Sequence, residues 1–318
     1  MRVILSFFAC LILLSGCGNN FGHKFKAYYD LQNKSTVPIN RKIEVAVVLG
    51  GGGARAIAGL GMFEVLEEHG IRVDLIVGTS GGSIIGALYA DNPDAKALRI
   101  IAEKLKINDF VDFSLLGAIH GTHDLASSYV NGRNGEKFLE KNMEAKEFGD
   151  LKIPFIAVAT DIVSGETVAL NNGPIAPAVR ASYSIPGLFA PVEIYGRTLV
   201  DGGVSAPLAV NVARMYNPKI IIAVDLSLPV EKSSVSNVVD VVTKSLAINY
   251  NTLSDMMCKE ADILIKPKIR NIGIFDAHRK DELYNAGLKA TEIKIGDIKK
   301  QLYKKTTLLD RLFSKKKI

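Results

Sequence analysis

The fold is decided by one stretch, Val73-Asp-Leu-Ile-Val-Gly-Thr-Ser-Gly-Gly82. Four of its first five residues are apolar, as in a buried strand, and an apolar helical run, 83–90, follows its two final glycines. A strand, a Gly-x-Ser-x-Gly turn and a helix form the context of a nucleophile elbow, whose tight turn leaves the serine hydroxyl at a helix N-terminus. The helix dipole favours negative charge there. The pattern therefore indicates Ser80 as a candidate nucleophile.

A second glycine-rich turn, Gly50–Arg55, lies between an apolar, β-branched strand at 42–49 and a helical run that ends near Gly70. Glycine lets backbone N–H groups approach a ligand without obstruction by a Cβ. N–H groups that also stand at a helix N-terminus suit an anion. The turn therefore predicts an anion-binding site next to the serine turn.

Two kinds of anion site fit this turn. The run Gly51-x-Gly53-x-x-Ala56 resembles a dinucleotide fingerprint, and Asp74 lies about 20 residues further on, as that fingerprint asks. The other is an oxyanion hole for acyl transfer. We favour the oxyanion hole, because the dinucleotide hypothesis leaves the Gly-x-Ser-x-Gly turn unexplained. It also places Asp74 at the start of its strand, whereas a ribose-binding acid belongs at the end.

The later sequence alternates apolar strands with helices. Strands are predicted at 153–161, 167–170, 197–201, 219–225 and 261–266, and helices at 95–105, 135–144, 238–257 and 276–303. The apolar loop 176–192, interrupted by Ile185-Pro186, could line an acyl pocket or simply cover the core. The pair His120-x-x-His123 has no acidic cluster at metal spacing, so we expect loop positions instead of a metal site. Asp201 ends a strand before two glycines, where it either faces a site or forms an ordinary Asp-Gly turn.

Composition excludes several classes of protein. The chain has 318 residues, 48% hydrophobic and 23% charged, with three cysteines, too few for a disulfide framework. Its formal charge of +6 is concentrated in lysines near the C-terminus, which form either a solvated helix face or a contact to anionic lipid head groups. Basic and aromatic residues do not interleave and tryptophan is absent, so no nucleic-acid partner is expected.

The N-terminus resembles a bacterial lipoprotein signal. Met1-Arg2 is positive, and the apolar run 3–14 is too short to span a bilayer comfortably. Leu14-Ser-Gly-Cys17 resembles a lipobox, which implies removal of residues 1–16 and a lipid anchor on Cys17. An ordinary secretory signal is the alternative. We predict a tether over 17–41, a main domain over 42–318, and a location at the cell envelope. Gly18 favours the outer membrane if the host is Gram-negative.

Three stretches together resemble the patatin-like phospholipase family: Gly50–Arg55, Gly78–Gly82 and Asp201–Gly203, with the loop 180–192 between the last two. The resemblance covers roughly 43–229. It implies an α/β fold, a three-layer α/β/α sandwich with a mainly parallel central sheet. It also implies a Ser-Asp dyad without histidine, no metal and no cofactor, and membrane lipids as substrates of a phospholipase A or lysophospholipase type.

Carried over to this sequence, the resemblance assigns a role to each matching position. It implies Ser80 as nucleophile, Asp201 as base and acid, Gly51, Gly52 and Gly53 as the oxyanion hole, and Arg55 as support for that loop. Ala56 departs from the glycine that the family usually has, which could shift the loop without removing a donor.

Two alternatives remain at this stage. One is a triad of Ser80, Asp201 or Asp225, and His278, in the order of the α/β-hydrolases. The other is a membrane-tethered lipid-binding or scaffolding protein that keeps the fold without turnover.

Overall fold

A nine-stranded sheet organises the chain, as a computed structural model shows for residues 27–29, 35–110, 132–230, 234–269, 272–276 and 278–314. Its strands are β1 (Ala27–Tyr29), β2 (Val45–Leu49), β3 (Leu75–Thr79), β4 (Phe155–Asp161), β5 (Thr167–Leu170), β6 (Val192–Ile194), β7 (Arg197–Asp201), β8 (Ile220–Val224) and β9 (Ile263–Ile265). They follow the order β1-β6-β7-β4-β3-β2-β8-β9, and β5 also pairs with β4. Pairing is antiparallel only for β4 with β5, β4 with β7 and β6 with β7 among the described strands, so the sheet is mainly parallel.

Helices cover both faces of this sheet. They are α1 (Ala58–Glu68), α2 (Gly81–Asp91), α3 (Ala95–Lys104), α4 (Arg133–Asn142), α5 (Ile175–Tyr183), α6 (Val210–Arg214), α7 (Val238–Met257), α8 (Lys280–Glu292) and α9 (Ile295–Ser314). Short 3-10 turns lie at Gly53–Ile57, Ile107–Asp109, Phe148–Asp150, Gly202–Val204 and Cys258–Glu260. No helix of the described residues combines the length and apolarity needed to cross a bilayer.

The continuous apolar character of the central strands follows from these two layers. On β2, Val45, Val47 and Leu49 join a core cluster with α1, α2 and α8, whereas Ala46 and Val48 join a second cluster with α6. Strands that are buried on both faces have no polar side to present, so they do not alternate. The predicted three-layer α/β/α sandwich is confirmed.

The C-terminal helix was predicted wrongly as one element over 276–303. The structure has two helices, α8 and α9, with Ile293 and Lys294 between them. The backbone N–H of Lys294 donates to Thr291 O, three residues back, which interrupts the regular four-residue ladder. Gly296, a poor helix former, is the second residue of α9. The short elements β1, β6 and α6 were not predicted either.

Part of the predicted tether lies against the main domain. The side chain of Asn171 bonds both the N–H and the carbonyl of Val37, and Arg41 donates to Asp74 O. The strand β1 of this segment pairs with β6, and Ser35 O accepts from Asn171 N, so hydrogen bonds to the domain are present before the boundary expected at residue 42. Cys17, His120, His123 and the lysines 315–317 lie outside the described residues.

Candidate active site

Ser80 occupies a strained turn between β3 and α2. Its φ of 53° and ψ of −126° are rare for a residue with a side chain, and such conformations cost on the order of 1–3 kcal/mol. Three neighbouring contacts hold it. Its N–H donates to Ser182 Oγ at 3.0 Å, and the N–H and hydroxyl of Ser83 both donate to its carbonyl. A Cβ on Gly81 would lie 2.4 Å from Gly53 O, so only glycine fits after the serine.

The hydroxyl of Ser80 donates to Asp201 Oδ2 at 2.7 Å. The other carboxylate oxygen, Oδ1, accepts from Gly203 N at 2.6 Å. Both side chains are buried, with Ser80 6% and Asp201 5% exposed. The sheet brings them together, because Asp201 pairs with Ala159 on β4 while Thr79, just before Ser80, pairs with Val158. The structure thus places the predicted nucleophile and base in direct contact.

Burial raises the pKa of Asp201 to about 6, although the hydrogen bonds from Ser80 and Gly203 oppose the rise. A carboxylate with this pKa is still mostly ionised at neutral pH, so it can accept a proton. It is also about a hundredfold more basic than an ordinary aspartate, because each pKa unit is a tenfold change in proton affinity. A general base works best when its pKa lies near the operating pH. The environment of Asp201 therefore suits a base.

The glycine loop offers fewer free donors than the sequence indicated. Gly51 N donates to Pro207 O at 3.0 Å, so this N–H is already occupied, and the expected role of Gly51 as an oxyanion donor is corrected. Among the described residues, the N–H groups of Gly52 and Gly53 donate to no protein acceptor. Gly53 has a φ of 57°, and a Cβ there would lie 2.2 Å from Ile274 O. Two donors, from Gly52 and Gly53, are thus available beside Ser80.

Arg55 lies where a supporting residue is expected. Its Nε donates to Gly52 O at 3.1 Å, and burial lowers the pKa of its guanidinium. The neighbouring Ala56, which departs from the family pattern, is buried in the core. The bond from Arg55 fixes the carbonyl of Gly52 and hence the orientation of the peptide that carries the Gly53 N–H.

Tyr250 on α7 contacts the site, and no local sequence pattern pointed to it. Its hydroxyl donates to Gly51 O, 199 residues away in sequence. A Cβ built on either Gly51 or Gly203 would lie 3.2 Å from an atom of Tyr250, so the side chain touches both the glycine loop and the turn after Asp201. Burial raises the pKa of the Tyr250 hydroxyl, which therefore stays neutral and able to donate. The sequence predicted the helix that carries Tyr250, over 238–257, but not the contact of its side chain with the site.

An apolar cavity opens beside Ser80. Its walls are Gly53, Ala54, Ala56, Ile57, Gly81, Ile84, Ile85, Leu105, Phe110, Tyr183, Ile185, Phe189, Ile274 and Phe275. Tyr183 packs edge-on against both Phe110 and Phe189. The loop 176–192, for which an acyl pocket and a core cover were both open, contributes to this wall. An apolar cavity next to a nucleophile suits a hydrocarbon chain.

The residues of the rival hypotheses lie elsewhere. Asp74 accepts from the N–H groups of Glu44 and Val45 at the start of β2. It therefore lies at the opposite edge of the sheet from Ser80, which follows the end of β3. Asp225 accepts from Ser227, Ser254 and Lys266. His278 is exposed, and no hydrogen bond within the described residues joins its ring to Asp201 or Asp225.

Comparison with known families agrees with this geometry. The model of the patatin-like phospholipase family matches residues 47–214, more than half of the 318 residues. The chain belongs to the patatin-like phospholipase family.

Relatives share parts of the chain. The lysophospholipase NTE1 of Scheffersomyces stipitis is 28% identical over 313 residues, covering 83% of this chain and 20% of that protein. Human patatin-like phospholipase domain-containing protein 6 is 33% identical over 187 residues, covering 57% and 13%. An uncharacterised NTE family protein of Mycobacterium tuberculosis is 34% identical over 186 residues, covering 58% and 49%. The chain thus spans less than half the length of each of these relatives.

Similar solved structures include VipD from Legionella pneumophila, with a TM-score of 0.40 and 14% identity over 79% of this chain and 67% of that one. Human GIVD cytosolic phospholipase A2 has a TM-score of 0.42 and 14% identity over 83% and 59%.

Proposed function

We propose that the chain is a lipid acyl hydrolase that cleaves carboxylic esters with Ser80 as nucleophile and Asp201 as base. The observation that carries the proposal is the 2.7 Å hydrogen bond from Ser80 Oγ to Asp201 Oδ2 at the wall of an apolar cavity. Membership of the patatin-like phospholipase family and similarity to a lysophospholipase support a phospholipid or lysophospholipid as substrate.

In the first half-reaction, Ser80 Oγ attacks the ester carbonyl carbon while its proton passes to Asp201 Oδ2. The carbonyl electrons move onto oxygen, and the N–H groups of Gly52 and Gly53 bind this oxyanion. The tetrahedral intermediate then collapses, the bond to the alcohol breaks, and the alcohol leaves with the proton from Asp201. The acyl group remains esterified to Ser80.

In the second half-reaction, water attacks the acyl carbonyl carbon and gives a proton to Asp201. Collapse of the second intermediate breaks the bond to Ser80 Oγ, which regains the proton from Asp201. The fatty acid leaves, and the starting state returns.

Electrostatics must supply much of the rate, because a carboxylate is a weak base for a serine hydroxyl. One oxyanion donor contributes about 3–4 kcal/mol in comparable enzymes. The N-terminus of α2 starts directly after Ser80, so its dipole also favours the developing negative charge. Burial keeps water away from these groups and strengthens both effects.

The proposed location is a membrane of the cell envelope, through a lipid on Cys17, with the outer membrane favoured if the host is Gram-negative. Support comes from the lipobox resemblance of residues 14–17. Mass spectrometry of the protein purified from its host membrane should find Cys17 as the first residue with attached acyl chains. An unmodified cysteine would contradict the anchor without affecting the proposed chemistry.

The activity is tested with a fluorophosphonate probe and a panel of phospholipids, lysophospholipids and acylglycerols. The wild type should be labelled on Ser80 and release fatty acid, and Ser80→Ala should lose both. His278→Ala is the control and should keep near wild-type activity, because His278 is exposed and not bonded to either acid. A folded wild type that is neither labelled nor active would favour the non-catalytic lipid-binding alternative.

A further inference from the structure

The N-terminal half of α7 carries large aliphatic side chains that the fold leaves exposed. Val241 is 51% exposed, Val242 is 49% exposed and Ile248 is 55% exposed. Only Ser254 of α7 is fully buried among the side chains described. Large aliphatic side chains exposed close together on one helix indicate a contact surface, whereas single exposed ones are ordinary.

This surface borders the candidate active site. Asn249 and Tyr250 follow Ile248 directly, and they bond Val204 O, just after the Asp201 turn, and Gly51 O of the glycine loop. On the other side of that loop, Ile274 touches Gly53, and Phe275, 43% exposed, lines the cavity at Ser80. The exposed part of α7 and the exposed cavity residue Phe275 thus lie on the two sides of the glycine loop.

From this position beside the site and the exposed aliphatic side chains, we infer that residues 241–248 of α7 enter the surface of a phospholipid bilayer and bring its lipids to the Ser80 cavity. The inference rests on the proposed function, because it takes the substrate to be a membrane lipid. A protein bound to this surface would obstruct the entrance to the Ser80 cavity. A bilayer bound there would supply the substrate to that cavity.

Charge favours the same occupant. The exposed stretch 240–249 contains one acid, Asp240, and one base, Lys244, so its attraction to lipid is apolar and does not need anionic head groups. The basic residues cluster at the opposite sheet edge. Arg41, Lys219 and Lys300 line a groove there with the starts of β2 and β8.

The chain contains no tryptophan, so a single introduced tryptophan reports its own surroundings. In the full chain, Val242→Trp should shift its emission to the blue and be quenched by brominated lipids when phosphatidylcholine vesicles are added. Ile293→Trp is the matched control, because Ile293 is 77% exposed beside Lys294 of the basic groove. Its emission should not change.

A combined Val241→Ser, Val242→Ser and Ile248→Ser variant tests the consequence for turnover. Serine matches valine and isoleucine in helix propensity, so α7 should remain folded. Hydrolysis of phosphatidylcholine vesicles should fall about tenfold or more, because the variant lacks the free energy gained when three apolar side chains move from water into the bilayer. Hydrolysis of soluble p-nitrophenyl butyrate should stay within about twofold of wild type, since none of the three contacts the cavity.

Three outcomes would overturn the inference. The first is a fluorescence response to vesicles at Ile293→Trp but not at Val242→Trp. The second is vesicle binding that disappears in about 0.5 M salt, where surface charges are screened. The third is a blue shift of the Val242→Trp emission that depends on protein concentration and not on vesicles. The last would indicate a second copy of the chain on this surface. If the wild type hydrolysed no ester at all, the proposed function would fail, while the tryptophan measurement would still report on α7.

Discussion

Two buried aspartates near the same edge of the sheet have opposite environments. Asp201 ends β7 and Asp225 follows β8. Burial opposes ionisation of Asp225, but Lys266, at 2.6 Å, and Ser227 together lower its pKa. Asp201 has only a hydroxyl and one N–H, so burial prevails and its pKa rises to about 6. Burial alone therefore does not set the pKa of an aspartate in this sheet. A cation within contact distance, together with Ser227, outweighs it at Asp225, and Asp201 has no such cation among its described partners.

The largest expected effect separates the two acids directly. Asp201→Asn should lower kcat/KM for a soluble ester by about a thousandfold or more, because an amide cannot take the Ser80 proton.

The same change, Asp201→Asn, should raise thermal stability at pH 8. An acid with a raised pKa binds its proton more tightly in the folded state, so ionisation costs stability as pH rises from about 4 to about 6. Calorimetry of both proteins at pH 4 and pH 8 checks this, with a gain only at pH 8.

Asp225→Asn is the matched change on the other side of the comparison. It should destabilise the fold by about 1–3 kcal/mol at pH 7, because a charge-assisted bond to Lys266 is lost. The folded protein should keep kcat/KM within about tenfold of wild type. A loss of activity as large as that of Asp201→Asn would show that Asp225 also belongs to the chemistry, and the comparison would fail.

An intermediate effect is expected from pH. The rate constant kcat/KM for a soluble ester should be constant above about pH 7 and fall with unit slope below the pKa of about 6. At pH 5 it should be about tenfold lower, because only a tenth of Asp201 is then ionised. Asp225→Asn should leave this profile unchanged, since the lowered pKa of Asp225 places its titration outside the range. A profile that stays flat down to pH 4 would contradict Asp201 as the base.

The smallest expected effect concerns Tyr250, which touches the turn after Asp201. Tyr250→Phe removes only the hydroxyl that holds Gly51 O, so kcat should fall about fivefold while KM stays constant, the equivalent of one modest hydrogen bond. The pH profile should keep its midpoint. A rise in KM with unchanged kcat would show that Tyr250 acts on substrate binding instead of on the glycine loop.

Local patterns were sufficient for much of the fold. The Gly-x-Ser-x-Gly turn, the buried strands and the helix at 238–257 are all apparent from residue order, because buried parallel strands are apolar throughout. The partner of Ser80 was less accessible, since an Asp-Gly pair by itself indicates only a turn. It was the resemblance to the patatin-like family that pointed to Asp201.

What escaped the sequence depends on contacts between distant segments. Gly51 resembled a donor, but its N–H is taken by Pro207 O, which no spacing rule reveals. Tyr250 reaches Gly51 across 199 residues. The exposure of Val241 and Val242 was equally hidden, because an apolar helix is ordinarily assigned to a core.

The register of three neighbouring strands has a consequence for how this family member can vary. Ser80 and Asp201 are 121 residues apart along the chain, yet Asp201 pairs with Ala159 of β4 and Thr79, directly before Ser80, pairs with the neighbouring Val158. The distance between their backbones is therefore set by two strand spacings of about 4.8 Å each, from β3 to β4 and from β4 to β7. It does not depend on the length of the chain that connects them. Insertions in the connecting loops can therefore reshape the cavity entrance while the distance between Ser80 and Asp201 stays the same.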